Sequence, residues 1–568
     1  MKTRILEKLG KLVKELPPSL FIDKMTISVI LFLVSFAVYL PALKAPFFWD
    51  DYISIPEIQV YKGIEHTESR PLRVFSFFVD SFLWKGNPSG YHFTNLLLNS
   101  IASVLVFLFM EKFFKNKIFS FLVSVLFLLH PVHTETVIWI KNRTEILFLI
   151  FFILSFLLYK KIFILSLLSF VLCTLSKETS VVFPVFLILF IYFFEKEKKY
   201  AGTIPFFIIS LARGIHGLIY AEKIVGEGTL PFFTNICAVL NTYRFYLGKL
   251  IFPLKLLVDR EPNYNFSLLS LVVFLFFVYI IFRFEIDKKL RFFLIFLFVS
   301  ILPYSNVIFI AGRPLGEQRM FLASLAFSAV VFLLVTSIKV KFLKYGFLLF
   351  LIVFYSGRTY LRAKEWQEPV LLWKQAEKFY PDSARIKHNL GSIYYEKGDY
   401  RAAKKYYLQA VGRSDYDSYI SLHNLALIYM KDGEFEEAEK IFKRTLEMKP
   451  KNVSTLYNLG LLYMETKKYK DAVQYLDEAK KLNPQAIQIY NNLAVSYQES
   501  GNAAKAIEVL KEALNIEPKY LNGRYNLIVI CKKSGRIEEA LKETENALKI
   551  FPENPVFLKL YQEFKNAG

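Results

Sequence analysis

Apolar runs recur along the first two thirds of this chain, at 25–43, 93–110, 118–130, 144–159, 162–175, 179–194, 203–220, 266–282, 292–309, 320–337 and 345–360. Backbone in a lipid core has no water to bond, so only helices and closed barrels can cross it. Runs near the ~20-residue spanning length predict membrane helices, and the shorter ones predict spans packed against neighbours. Bulk composition agrees: 54% of residues are hydrophobic and 17% aromatic, with 58 Phe, a load that a soluble globular chain does not carry. At 568 residues the chain is also too long for one compact domain.

The formal charge is +21. Its placement points to membrane topology rather than to nucleic acid. Lys2, Arg4, Lys8, Lys11, Lys14 and Lys24 precede the first run; Lys112, Lys115 and Lys117 follow the second; Lys160 and Lys161 follow the fourth. Lys196, Lys198 and Lys199, then Arg283, Lys288, Lys289 and Arg291, then Lys339, Lys341 and Lys344 continue the alternation. Basic short loops face the cytoplasm. The stretch 235–258 breaks the alternation and is expected as a re-entrant or interfacial pair ending near Pro253. About eleven crossings follow, which puts the 44–92 loop and the C-terminal part on the outer side. The first run lacks a small-residue cleavage site and is expected as a retained signal anchor. Cys173, Cys237 and Cys531 show neither disulfide nor zinc spacing.

After Tyr360 the pattern changes. Asn-Leu-small triplets begin at Asn389, Asn424, Asn458, Asn492 and Asn526, and Pro450, Pro484, Pro518 and Pro552 stand 34 residues apart. Ala438, Ala472, Ala506 and Ala540 keep the same step, and Gly398, Gly433, Gly501 and Gly535 mark inter-helix turns, with Lys467 in the place of the third. This resembles the tetratricopeptide repeat, in about five copies. Stacked helix pairs form a concave surface suited to peptides. Asn389, Asn424, Asn458 and Asn492 either face that groove and bind a peptide backbone or bond between helices of the ladder.

Polar residues interrupt the apolar half at a few places. Asp50 and Asp51 close the run Pro46-Phe47-Phe48-Trp49-Asp50-Asp51 at the lip of the bilayer, a placement that needs compensation by water, a cation or a substrate. The 44–92 loop also holds Arg70-Pro71-Leu72 and Gly90-Tyr91-His92. His130, His133 and Glu135, with Arg143 after them, have spacing that serves a metal, a phosphate or an acid, or simply an interfacial helix end. Lys177-Glu178 reads first as an ion pair at headgroup level. Arg319, beside Glu317 and Gln318, offers paired donors suited to a lipid phosphate, or snorkels to headgroups. No GxxxxGK[ST], GxSxG or HExxH is present, so nucleotide chemistry finds no support.

Taken in order, Phe48-Trp49-Asp50-Asp51, Arg70-Pro71-Leu72, Gly90-Tyr91-His92, His130-Pro131-Val132-His133, Glu135, Arg143, Ser176-Lys177-Glu178 and Glu317-Gln318-Arg319-Met320 ahead of the repeats resemble the TMTC O-mannosyltransferases of the GT-C glycosyltransferase group. The resemblance implies a multi-span enzyme that uses a polyprenyl- or dolichyl-phosphate sugar. It implies Asp50 and Asp51 as the acidic catalytic site. Arg70, His92, His130, His133, Glu135, Arg143, Lys177 and Glu178 would line the cavity, with Arg319 near the donor phosphate. Phe321 and Ala323 depart from the Tyr and Pro that related chains tend to carry there.

The expected architecture is all-α: a cytoplasmic segment 1–24, a membrane helix bundle 25–360 with outer loop 44–92, a linker helix 361–381 and a repeat solenoid 382–568. The expected function is glycosyl transfer to an acceptor hydroxyl of protein Ser or Thr on the outer membrane face. The rival is a non-catalytic membrane-anchored repeat scaffold. No cofactor is implied beyond an optional divalent metal. Expected partners are the lipid-linked sugar, membrane lipid and a protein held by the repeats, with no nucleic acid. The expected location is a prokaryotic inner membrane with periplasmic repeats, or the endoplasmic reticulum if the chain is eukaryotic.

Overall fold

The computed structural model describes residues 23–48, 51, 70–224, 231–258, 263–283, 285–305, 315–411 and 418–567. Among these the regular structure is helical throughout, without strands. The chain divides into two compact units, with the boundary between Pro381 and Asp382.

In the first unit the described part of every apolar run is mainly helical, from Lys24–Tyr39 to Lys341–Glu365. Four helices among the described residues are long and apolar enough to cross a membrane: Lys24–Lys44, Pro88–Phe114, Glu317–Thr336 and Lys341–Glu365. Lys117–Leu128 and Pro131–Ile138 are long and apolar enough only when taken together, as a span broken by a 54° bend or as a re-entrant loop. Other apolar helices, such as Phe163–Ser176 and Leu268–Phe282, are shorter. Length and composition therefore mark four or five spans, where the apolar runs alone suggest eleven. The stretch expected as an irregular pair at 235–258 is instead one helix, Phe232–Ile251. The expected loop 44–92 contains the helix Pro71–Trp84, opened by a proline at its first position, where the missing N–H has no helical partner to lose. The last long helix runs on to Glu365, and a separate helix, Pro369–Phe379, follows Trp366.

Several of these helices are polar inside and apolar outside. Pro71–Trp84 buries Arg73, Phe77 and Asp80 and exposes Phe75, Phe78, Phe82 and Leu83. Leu268–Phe282 exposes Leu268, Leu269, Val272, Phe276 and Tyr279. Water does not favour such bands, and lipid does. The interior is filled largely by aromatic rings, with Phe113 in ring contact with Phe109, Phe156, Phe292 and Phe293.

The second unit is a ladder of helical hairpins: Ala384–Glu396 with Tyr400–Val411, Ser418–Lys431 with Phe435–Met448, Val453–Glu465 with Tyr469–Leu482, Ile487–Glu499 with Ala503–Ile516, and Leu521–Lys533 with Ile537–Ile550. Pro555–Ala567 covers the end. The period has a steric cause. A Cβ on Gly460 would lie 2.6 Å from Leu476 Cγ, and one on Gly391 would lie 2.8 Å from the Tyr407 ring, so the paired helices touch where only glycine fits. Ala438, Ala472, Ala506 and Ala540 are fully buried at the same seam.

The third turn is the exception to the glycine rule. Lys467 adopts φ 59°, a left-handed conformation that costs an L-residue about 1–2 kcal/mol. Lys467→Gly should therefore strengthen the hairpin 453–482. Amide exchange there should slow by roughly fivefold, the factor for ~1 kcal/mol of local opening free energy. Unchanged exchange would mean that the turn carries no strain.

Candidate active site

The helix Lys117–Leu128 ends at Leu129, and the next long helix starts only at Arg143. Between them lie two short 3-10 turns and five residues of α-helix, 134–138. His130-Pro131 causes the break, because proline cannot donate into the preceding turn. Side chains from several other elements bond to this buried segment, among them Asp51, Asn95 and Thr359.

Asp51 is fully buried. Its Oδ2 accepts the Phe48 N–H at 3.0 Å and its Oδ1 accepts the Lys141 N–H at 2.9 Å, so it pins the end of the first span to the 140–142 turn. Asp50 lies outside the described residues. His92 is enclosed by the backbone of Ala45, Pro46 and Ile138. His130 Nε2 lies 2.9 Å from Leu250 O, and His133 Nε2 lies 2.6 Å from Ser324 Oγ. Glu135 turns elsewhere: its Oε2 accepts the N–H groups of Glu317 at 2.7 Å and Gln318 at 3.2 Å. His130, His133 and Glu135 therefore do not converge on one point and do not fit a metal. No group of three potential ligands occurs among the described residues.

Arg143 is fully buried and uses all five donors on protein acceptors. Nε donates to Asn95 Oδ1 at 2.6 Å and Nη1 to Ser76 O and Oγ at 3.4 and 3.3 Å. Nη2 donates to Asp80 Oδ2 at 2.5 Å and to Tyr91 O at 3.1 Å. The guanidinium also lies 4.9 Å from the Phe77 ring centre. Arg319 differs: it is 9% exposed, and its Nη1 has no hydrogen-bond partner.

Lys177 and Glu178 take different partners. Lys177 Nζ bonds Glu145 Oε1 and lies 4.6 Å from the Tyr304 ring centre. Glu178 receives a bidentate pair from Arg70 at 3.1 and 3.2 Å and a further bond from Arg213 at 3.3 Å. Lys177 has extended backbone, φ −158° and ψ 143°, so neighbouring side chains there point to opposite sides.

Asp80, Glu145, Arg213, Glu317 and Arg362 escaped sequence reasoning as partners. Asp80 and Glu145 had a legible signal, since each is a carboxylate inside an apolar helix, where an unpaired charge is costly. Arg362 had none, because it sits among other charges at a helix end.

In the ladder, Asn424 Nδ2 donates to Tyr407 Oη at 3.2 Å and Asn492 Nδ2 to Tyr457 Oη at 2.7 Å. Asn458 Nδ2 donates to Ser454 O at 2.9 Å and lies 3.4 Å from His423 Nε2. Asn389 is buried. The amides of Asn424, Asn458 and Asn492 thus bond within the ladder. A peptide seated there would compete with those bonds.

Tetratricopeptide-repeat family models match residues 384–416, 423–487 and 497–563. A protein O-mannosyl-transferase of Caenorhabditis elegans is 26% identical over 67% of this chain and 62% of its own length. Human protein O-mannosyl-transferase TMTC3 is 25% identical over 61% of this chain and 44% of its own, and human TMTC4 26% over 63% and 59%. These relatives are TMTC-family protein O-mannosyl-transferases. The chain spans less than two thirds of the length of each. The likeness covers more of the chain than the repeats at 382–568 contain, so it extends into the membrane unit. Two solved structures are similar in part: YrrB, a TPR protein with an unusual peptide-binding site, is 19% identical, with a TM-score of 0.30 over 34% of this chain and 97% of that one. MamA is 23% identical, with a TM-score of 0.28 over 30% and 92%.

Two tests follow. Removing one partner of a buried ion pair costs about 3–5 kcal/mol, so Arg143→Met alone should lower the unfolding midpoint of the purified protein strongly. Adding Asp80→Asn should recover part of that loss; simple additivity would show that the two residues are uncoupled. In the ladder, burial pushes the His423 pKa from 6.5 down to about 4. The unfolded state then binds the extra proton between those values, so this group's contribution to stability is lost as pH falls from about 6.5 towards 4. Acid-induced exchange in 418–465 should shrink in His423→Asn; an equal acid response in both proteins would assign the effect elsewhere.

Proposed function

We propose that the chain is a membrane-embedded glycosyltransferase that moves a sugar from a polyprenyl- or dolichyl-phosphate lipid to a protein Ser or Thr hydroxyl. The similarity to protein O-mannosyl-transferases, reaching beyond the repeats, carries this reading. The arrangement of the membrane unit supports it. Arg319 is the buried guanidinium with an uncommitted Nη1, suited to the donor phosphate. Arg143, by contrast, is saturated by protein acceptors and serves to position the helices that frame the site.

In the proposed reaction Asp50 or Asp51 takes the proton of the acceptor hydroxyl. The oxygen attacks the anomeric carbon, the bond from that carbon to the phosphate oxygen breaks, and the lipid phosphate leaves with the electron pair. One displacement inverts the anomeric centre. The backbone N–H groups of Phe48 and Lys141 hold the Asp51 carboxylate in place. The transfer takes place on the outer membrane face, in a prokaryotic inner membrane or an endoplasmic-reticulum membrane. The tetratricopeptide repeats engage the acceptor or a partner protein.

General-base help is worth typically ~10²–10⁴-fold. Asp50→Asn and Asp51→Asn, purified in detergent and assayed with a labelled lipid-phosphate sugar and acceptor peptides, should lose turnover by about that factor while still inserting. Transfer at the wild-type rate by both variants would remove the mechanism.

A further inference from the structure

The turn at 317–320 gathers more buried, unpaired polar atoms than any structural purpose explains. Glu135 Oε2 is satisfied by the 317 and 318 N–H groups, while its Oε1 has no partner. Glu317 Oε1 accepts the Leu257 N–H at 2.7 Å, while its Oε2 has none. Gln318 Oε1, Arg319 Nη1, Arg362 Nε and Trp366 Nε1 are likewise buried without partners.

These atoms belong to one neighbourhood. Glu135 holds the backbone of Glu317 and Gln318, and Arg319 follows in the same turn. Arg362, 1% exposed, is a charged neighbour of both Glu135 and Glu317. Trp366 is fully buried, with its ring 4.9 Å from Phe48 and 6.4 Å from Trp139, which lies in the segment that carries Glu135.

A buried polar atom left unmade costs about 1–3 kcal/mol, and native structures hold few of them. Six together mean that something polar completes the set. The free atoms are three acceptor oxygens and three N–H donors. A phosphate has no use for carboxylate acceptors, and a metal has none for guanidinium donors. A polyhydroxyl ligand uses both, because each hydroxyl donates and accepts. We infer that Glu135, Glu317, Gln318, Arg319, Arg362 and Trp366 form the sugar-recognition site, binding the hydroxyls of the hexose carried by the donor lipid. The inference rests on the proposed glycosyl transfer and adds to it the residues that read the sugar. Arg319 borders the site: its open Nη1 serves the donor phosphate, and the sugar hydroxyls take the other five atoms.

Glu317→Gln is the informative change. Its amide oxygen can still accept the Leu257 N–H, while an NH2 group replaces the free carboxylate oxygen. Arg362→Lys is the second, since it keeps a cation for Glu365, which Arg362 Nη1 meets at 2.6 Å, and deletes the Nε–H donor. Full-length protein in lipid nanodiscs would be titrated with mannosyl polyprenyl phosphate and with the same polyprenyl phosphate lacking sugar. The wild type should bind the mannosyl lipid more tightly. Each variant should weaken mannosyl-lipid binding by about tenfold, the size of one charge-assisted hydrogen bond, and leave the sugar-free lipid unchanged. Equal binding of both lipids by the wild type, unchanged binding by both variants, or equal loss of both lipids would overturn the inference and leave these atoms to water. Failure of the wild type to bind either lipid would instead overturn the donor reading on which it rests.

Discussion

The membrane unit depends on one constraint: the broken helix from Leu129 to Asn142 is largely buried, and the backbone groups freed at its breaks must be satisfied by protein. Such backbone at membrane depth persists only where other groups replace water. The replacements come from all around. Thr359 donates to Leu129 O at 2.7 Å, Asn95 to Val137 O at 3.1 Å and Arg73 to Lys141 O at 3.3 Å, while Asp51 accepts the Lys141 N–H. Asn142 donates to Glu135 O at 3.3 Å. One interrupted helix thereby fixes the register of the first span, the helices beginning at Pro71 and Pro88, and the last long helix.

The same constraint explains the ion pairs. Arg143 with Asp80 and Lys177 with Glu145 are nearly inaccessible to solvent. Buried pairs are weak sources of net stability, but breaking one leaves an uncompensated charge. They act as locks: helices that slid past one another would strand a charge in lipid. The carboxylates of Glu135 and Glu317 differ from these pairs: each has one oxygen bonded to backbone N–H and one without a partner. Six of the buried atoms without a hydrogen-bond partner belong to residues of this one neighbourhood.

Much of the fold was legible because it follows from period and composition. Among the described residues the apolar runs become helices, and the 34-residue step becomes hairpins whose seams hold Gly391 and Gly460 against Tyr407 and Leu476. The helix Pro71–Trp84 was not legible as part of the bundle. Its apolar residues read as a surface, and only packing shows Arg73 and Asp80 turned inward. The candidate site was legible as a set of residue types and not as a set of partners. Lys177 and Glu178 look like a pair in sequence, yet extended backbone sends them to Glu145 and to Arg70. His130, His133 and Glu135 look like a ligand set, yet the bend at Pro131 gives each its own neighbour.

Sequence by itself determined that this chain is helical, that one part seeks lipid and that the other is a tetratricopeptide ladder. Those properties are set by hydrophobic length and by local period, both written in consecutive residues. Tertiary structure alone decided which charges neutralise each other and which remain open. Glu135 meets Glu317 across 182 residues, and Arg143 meets Asp80 across 63. Electrostatic compensation depends on distance in space, and no local pattern encodes it.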